Sequence, residues 1–175
     1  MSDTDFPDGL GHPHLRAPAA IKRHASPLSL LVLGSLMAAA ALGAFGGEGL
    51  DTTTVDGAGA RLVVEAPDTL RNGEFYEMRV HITPSRPVGD LVLSVDAGLW
   101  RQTTQNSMLP AAAEEGFEDG AFHFSYGAAE AGRTILVKMD FQLNPSLLGD
   151  VAGRIRVLDG SQDLAALPLE IEVRP

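Results

Sequence analysis

From Ala25 to Gly47 the chain carries no charged side chain, and Leu28–Phe45, LSLLVLGSLMAAAALGAF, is almost continuously apolar. Such a segment has few homes. About 20 apolar residues wound as a helix satisfy their own backbone hydrogen bonds and reach across a bilayer. The pattern therefore predicts a single transmembrane helix over 27–47. Lys22 and Arg23 precede it; Glu48, Asp51 and Asp56 follow. Basic residues stay on the cytoplasmic side, so the N-terminus is expected inside and the remainder outside. A cleaved signal peptide is the competing reading, because Ala38–Ala41 offers small-x-small sites. Against it stand a long, Pro-containing n-region with an acidic start and an apolar run longer than a signal-peptide core. The retained anchor is the preferred reading. Residues 1–26 have no apolar period and are punctuated by Pro and Gly, which predicts a disordered cytoplasmic tail. Residues 48–59 read as a linker.

The formal net charge is −10. Arg16, Lys22 and Arg23 balance Asp3, Asp5 and Asp8, so all of the excess lies beyond the apolar segment. An acidic domain excludes nucleic acid as a partner and argues against docking on anionic headgroups. The absence of cysteine removes disulfides, thiolate metal sites, iron–sulfur ligation and a cysteine nucleophile together. Arginine far outnumbers lysine, and Ala and Gly are abundant. These residues have GC-rich codons, which points to a bacterium. The expected location is a bacterial inner membrane with the C-terminal domain periplasmic or extracellular.

Beyond the linker the hydrophobic period changes to two. Leu62, Val64 and Ala66 begin it; Tyr76, Met78, Val80 and Ile82 follow, alternating with Glu77, Arg79 and His81. Leu91, Leu93 and Val95 make a third strand, and Phe122, Phe124 and Tyr126 a fourth. Ile135 to Leu143 alternates through Val137, Met139 and Phe141. Ile155 and Val157, then Leu167, Leu169, Ile171 and Val173, complete the set. Arg71-Asn72-Gly73 and Asp159-Gly160 mark turns. Seven short strands with turn signals between them predict an all-β, immunoglobulin-like antiparallel β-sandwich over 60–175, preceded by the transmembrane helix. Trp100 falls just after the third strand, where many such sandwiches keep a core Trp.

Arg71-Asn72-Gly73-Glu74-Phe75-Tyr76, an alternating strand, then Leu91-Val92-Leu93-Ser94-Val95 and Gly98-Leu99 resemble bacterial Ig-like accessory domains outside the inner membrane. The stretch is similar to the periplasmic Ig-like domain of the membrane ferredoxin used in cytochrome oxidase maturation. The likeness covers a minor part of the chain and includes no catalytic motif. It implies a fold and a location, and no electron-transfer role.

Catalytic and metal-binding chemistry finds little support. His12-Pro13-His14 offers only two ligands, and His81 and His123 fall on polar strand faces, where they are read as surface imidazoles with a cross-sheet pairing as the alternative. Asp159-Gly160-Ser161-Gln162-Asp163 resembles a fragment of a calcium loop but lacks its terminal Glu, so it reads as a hairpin turn. Ser94, Ser107 and Ser125 lack a Gly-x-Ser-x-Gly context. No cofactor or metal is expected, and the chain is not expected to be an enzyme.

Two features point to binding. Ser35, Ala39, Gly43 and Gly47 recur every four residues, a stripe that lets a neighbouring helix approach closely. A long loop is expected over 97–120, carrying Trp100, Glu114, Glu115, Glu118 and Asp119, and loops are where recognition concentrates. The first expectation is an accessory or assembly subunit of an inner-membrane complex. Its partners would be integral membrane subunits, with the bilayer contacted through one helix. The second is an anchored recognition module binding a peptide, glycan or ion through the 97–120 loop.

Overall fold

The computed structural model describes residues 20–44, 49–100, 103–144 and 149–174, with the side chains of 20–25 outside that description. The chain divides into two compact units, Met1–Phe45 and Gly46–Pro175.

In the first unit, α1 runs from Ala20 to Ala41 and contains Pro27. The expected helix over 27–47 is corrected at both ends. Residues 20–26, expected as tail, are helical; residues 1–19, with His12 and His14, and residues 45–48, with Gly47, lie outside the described residues. The C-terminal end has a clear cause. The Gly43 N–H donates to the Ala40 carbonyl at 3.1 Å, and the Ala44 N–H to the Ala39 carbonyl at 2.9 Å. These are the two bonds of a Schellman cap, which requires a left-handed residue where Gly43 stands; its φ is +79°. Leu28, Leu30, Leu31, Val32, Leu33, Leu36 and Met37 are all more than half exposed. Successive helical residues are about 100° apart, so Leu30–Leu33 alone point all the way round. Among the described residues, no helix is long and apolar enough to cross a membrane.

The second unit is a two-layer β-sandwich. One sheet holds β1 (Asp51–Asp56), β2 (Ala60–Ala66), β4 (Phe75–Pro84), β9 (Ile135–Leu143) and β6 (Thr103–Leu109), in the order β1-β2-β4-β9-β6. The other holds β3 (Thr69–Arg71), β11 (Gln162–Arg174), β10 (Gly149–Asp159), β5 (Leu91–Asp96), β8 (Ala121–Ser125) and β7 (Glu114–Glu118), ordered β3-β11-β10-β5-β8-β7. The orders β2-β4-β9-β6 and β11-β10-β5 correspond to the A-B-E-D and G-F-C sheets of an immunoglobulin sandwich. One pairing departs from the antiparallel expectation: β3 runs parallel to β11.

All seven expected strands are present, and their alternating apolar residues form the core between the layers. Leu62, Val80, Ile82, Leu91, Leu93, Val137, Met139, Ile155 and Val157 are fully buried. The central strand β5 is buried on both faces. On its outer side Ser94, the one buried polar residue among the described residues, accepts a hydrogen bond from Arg156 Nη2 at 3.1 Å. Four further strands were not anticipated. The expected linker 48–59 contains β1, which pairs with β2 from Asp51↔Ala66 to Asp56↔Arg61. β3 is only three residues long. The expected 97–120 loop is instead a short helix α2 (Ala97–Trp100), β6 and β7. Its acidic end is a hairpin: β7 returns into β8 through Asp119-Gly120, with φ of +50° and +76°, the two positive values a type I′ turn requires.

Candidate functional site

The site begins at Gly98. A Cβ there would lie 2.4 Å from the Ala152 carbonyl oxygen, so α2 sits flush on β10 only because that position is glycine. Leu99 then enters the core. Trp100 is turned toward the aromatic residues of both sheets: its ring centroid is 5.3 Å from Phe141, 5.4 Å from Phe122 and 5.6 Å from Phe124. Edge-to-face and tilted contacts of this kind stabilise by about 0.5–1.5 kcal/mol each beyond area burial. The chain of rings continues outward from Phe122 to Phe117 at 4.9 Å. Phe117 itself is 61% exposed.

Trp100, Gln105, Glu115, Gly116, Phe117, Phe122 and Phe124 line a cleft of about 480 Å³. Gln105 comes from β6, the edge of one sheet, and Glu115–Phe117 from β7, the edge of the other. Aromatic faces therefore reach solvent where the sandwich is open. Two residues beyond Phe124, Tyr126 donates its hydroxyl to the Met108 sulfur at 3.3 Å. Burial, and secondarily the charge of Glu115, push the Tyr126 phenol up to about 12, so it stays a neutral donor at physiological pH.

The structure brings Trp100 and Glu115 together at this cleft and separates the other expected residues. Glu114 and Glu118 fall on the opposite face of β7 from Glu115, by strand alternation. Glu114 borders a smaller polar hollow with Asp90, His123 and Ser125, whose rim Glu115 also reaches. Asp119 is in the turn. No group of three potential metal ligands gathers among the described residues. His81 and His123 lie in different sheets and do not pair; His81 Nε2 is 3.3 Å from Glu65. The Asp159 carboxylate is occupied structurally, accepting from Gly89 N–H at 3.0 Å and Asp90 N–H at 3.2 Å. Of the helix stripe, Ser35 and Ala39 lie on α1. Gly43 lies past its end in the cap, which breaks the four-residue register.

Comparison with known proteins adds likenesses of shape only. No family model matches, and no curated protein matches. Among solved structures, the chain is similar to the CARDB domain of a Pyrococcus furiosus protein, solved with di-metal ions. The identity is 13%, with 73% of this chain and 90% of that one covered, at a TM-score of 0.42. A cohesin, CaCohA2 from Clostridium acetobutylicum, matches at 17% identity over 74% of this chain and 93% of its own, with a TM-score of 0.43. A non-cellulosomal cohesin from Archaeoglobus fulgidus matches at 13% identity over 63% and 88%, with a TM-score of 0.38. Values this low transfer no ligand or partner.

Phe117 and Gln105 were missed in the sequence. The signal for Phe117 was present: Asp119-Gly120 is a hairpin dipeptide. Pairing back from Phe122 and Phe124 places Phe117 and Glu115 on the same face.

Proposed function

We propose that this chain is a non-enzymatic accessory protein, held at a bacterial inner membrane by its N-terminal apolar segment, whose Ig-like domain binds a protein partner at the aromatic cleft. One observation carries the binding reading. Trp100 and Phe117 stand at an open edge of the sandwich, and rigid, partly exposed aromatic residues in a preformed hollow are the side chains that dominate protein interfaces. The membrane reading is supported by the uncharged stretch 25–47 and by large apolar side chains exposed on every side of α1, an arrangement that needs an apolar environment. The basic flank at Lys22 and Arg23 supports an inside N-terminus.

The decisive experiment is recovery of partners from gently solubilised membranes with wild type and Phe117→Ser at matched expression. Phe117 is exposed, so the substitution leaves the core intact. Reduced recovery is the expected result; equal recovery would overturn the cleft as the interface. The anchor is tested separately by alkaline extraction, in which the full chain should stay with the membrane pellet. A reporter active only outside the cytoplasm, fused after Pro175, should work; its silence would reverse the orientation.

A further inference from the structure

Sheet edges are usually defended against pairing with other chains, and the four edges of this sandwich are unequal. β3 has three residues. β6 breaks register between Gln105 and Ser107. β1 is capped at both ends by aspartate. β7 differs: it pairs with β8 in unbroken register from Glu114↔Ser125 to Glu118↔Ala121, and all five of its residues are exposed. Among the described residues no strand pairs with its other side, since β7 ends the sheet order.

Alternation fixes what that side presents. Across a two-residue turn, Glu118 and Ala121 exchange both bonds, and so do Gly116 and His123 two residues on. The N–H and C=O groups of Glu115 and Phe117 consequently point away from β8, toward whatever lies beside the edge. The side chains of the same two residues line the aromatic cleft. A Cβ on Gly116 would meet nothing within 4 Å, so the outer face of the strand is open at its middle. The charge is of one sign: residues 114–125, EEGFEDGAFHFS, contain four carboxylates and no Lys or Arg. Two copies meeting edge to edge would oppose these carboxylates, which disfavours self-pairing. A cationic strand meets no such barrier.

We propose that β7 accepts an extended basic segment of a partner protein as an added strand, with alternate apolar side chains of that segment entering the cleft beside Trp100 and Phe117. Backbone bonds to Glu115 and Phe117 supply the pairing, and Glu114 and Glu118 face the Lys or Arg residues of the intervening positions. This rests on the cleft being the interface and specifies what occupies it.

The test uses the full chain in a non-ionic detergent and three fluorescent octapeptides: alternating Lys and Val, the same peptide N-methylated at alternate residues on its pairing edge, and alternating Glu and Val. The first should bind saturably, with slowed amide exchange at Glu115 and Phe117. The N-methylated peptide should bind about tenfold more weakly or worse, having lost two or more backbone bonds, and the Glu peptide should not bind. Glu114→Lys/Glu118→Lys should abolish binding of the first. Equal binding of the N-methylated peptide would reduce the effect to bulk charge attraction and overturn the added strand. Absence of peptide binding, with partner recovery still lost in Phe117→Ser, would overturn the added strand while leaving the cleft interface standing.

Discussion

Gly98 and Gly43 are glycines for different reasons, and substitutions should separate them. At Gly98 the obstacle is packing, because a Cβ meets the Ala152 carbonyl oxygen. Gly98→Ala should lift α2 from β10, cost about 1–3 kcal/mol as overpacking does, and displace Trp100. Trp100 is the only Trp, so a red shift in its fluorescence and a lower urea midpoint would report this; an unchanged spectrum would detach Trp100 from Gly98. At Gly43 the obstacle is backbone handedness. Gly43→Ala should cost about 1–2 kcal/mol at the helix end, and Gly43→Leu about the same. A tight helix contact would instead make Leu far worse than Ala, so comparing the two helicities decides between a cap and a packing face. The four-residue spacing of small residues is legible in sequence, but whether Gly43 is still helical depends on φ, which spacing does not encode.

At the scale of elements, the strands that could be read were those facing the opposite layer. β2, β4, β5, β8, β9, β10 and β11 each bury a side against the core, β5 burying both, and burial of one side imposes the period of two. β1, β6 and β7 are edge strands whose side chains are mostly exposed. Without a buried face nothing enforces alternation, and Asp51–Asp56 passed for a linker and Glu114–Glu118 for an acidic loop. The candidate site was half legible for the same reason: Trp100 and Glu115 stood out by residue type, whereas Phe117 and Gln105 acquire meaning only once β7 and β6 are placed. β1 gives a direct prediction. A fragment beginning at Ala60, where sequence alone would cut, loses β1 and leaves β2 as an unprotected edge. It should unfold at lower urea and aggregate more readily than one beginning at Gly46. Equal midpoints would show that β1 adds nothing to the sandwich.

Across the whole molecule, charge is arranged on surfaces. On the outer face of the five-stranded sheet, Glu77 pairs with Lys138 and Arg79, and Arg79 reaches Glu65 at 3.4 Å. The Lys138 hydrogen bond, with help from Arg79, holds the Glu77 carboxyl below its usual range. A lowered carboxylate adds stability above its unfolded pKa, about 4.3 for Glu, and that stability is lost as pH falls through the folded value. Wild type should therefore exceed Glu77→Gln modestly at pH 7, these groups being open to solvent, and the two should converge in acid. A gap that persisted at low pH would assign the difference to packing. The sequence pI of about 4.8 adds a solubility minimum in the same region, so the comparison belongs in dilute samples.

The one-signed β7 edge has a consequence in the surrounding electrolyte. Repulsion between exposed carboxylates reaches only as far as the Debye length, about 8 Å at physiological ionic strength and about 3 Å at 1 M. In brine the barrier that keeps two copies apart should collapse, while attraction to a cationic strand weakens with it. Sedimentation of the full chain should show homodimers growing with added sodium chloride, and Glu114→Lys should blunt the effect. The same five residues would then exchange a foreign strand for their own kind as ions accumulate.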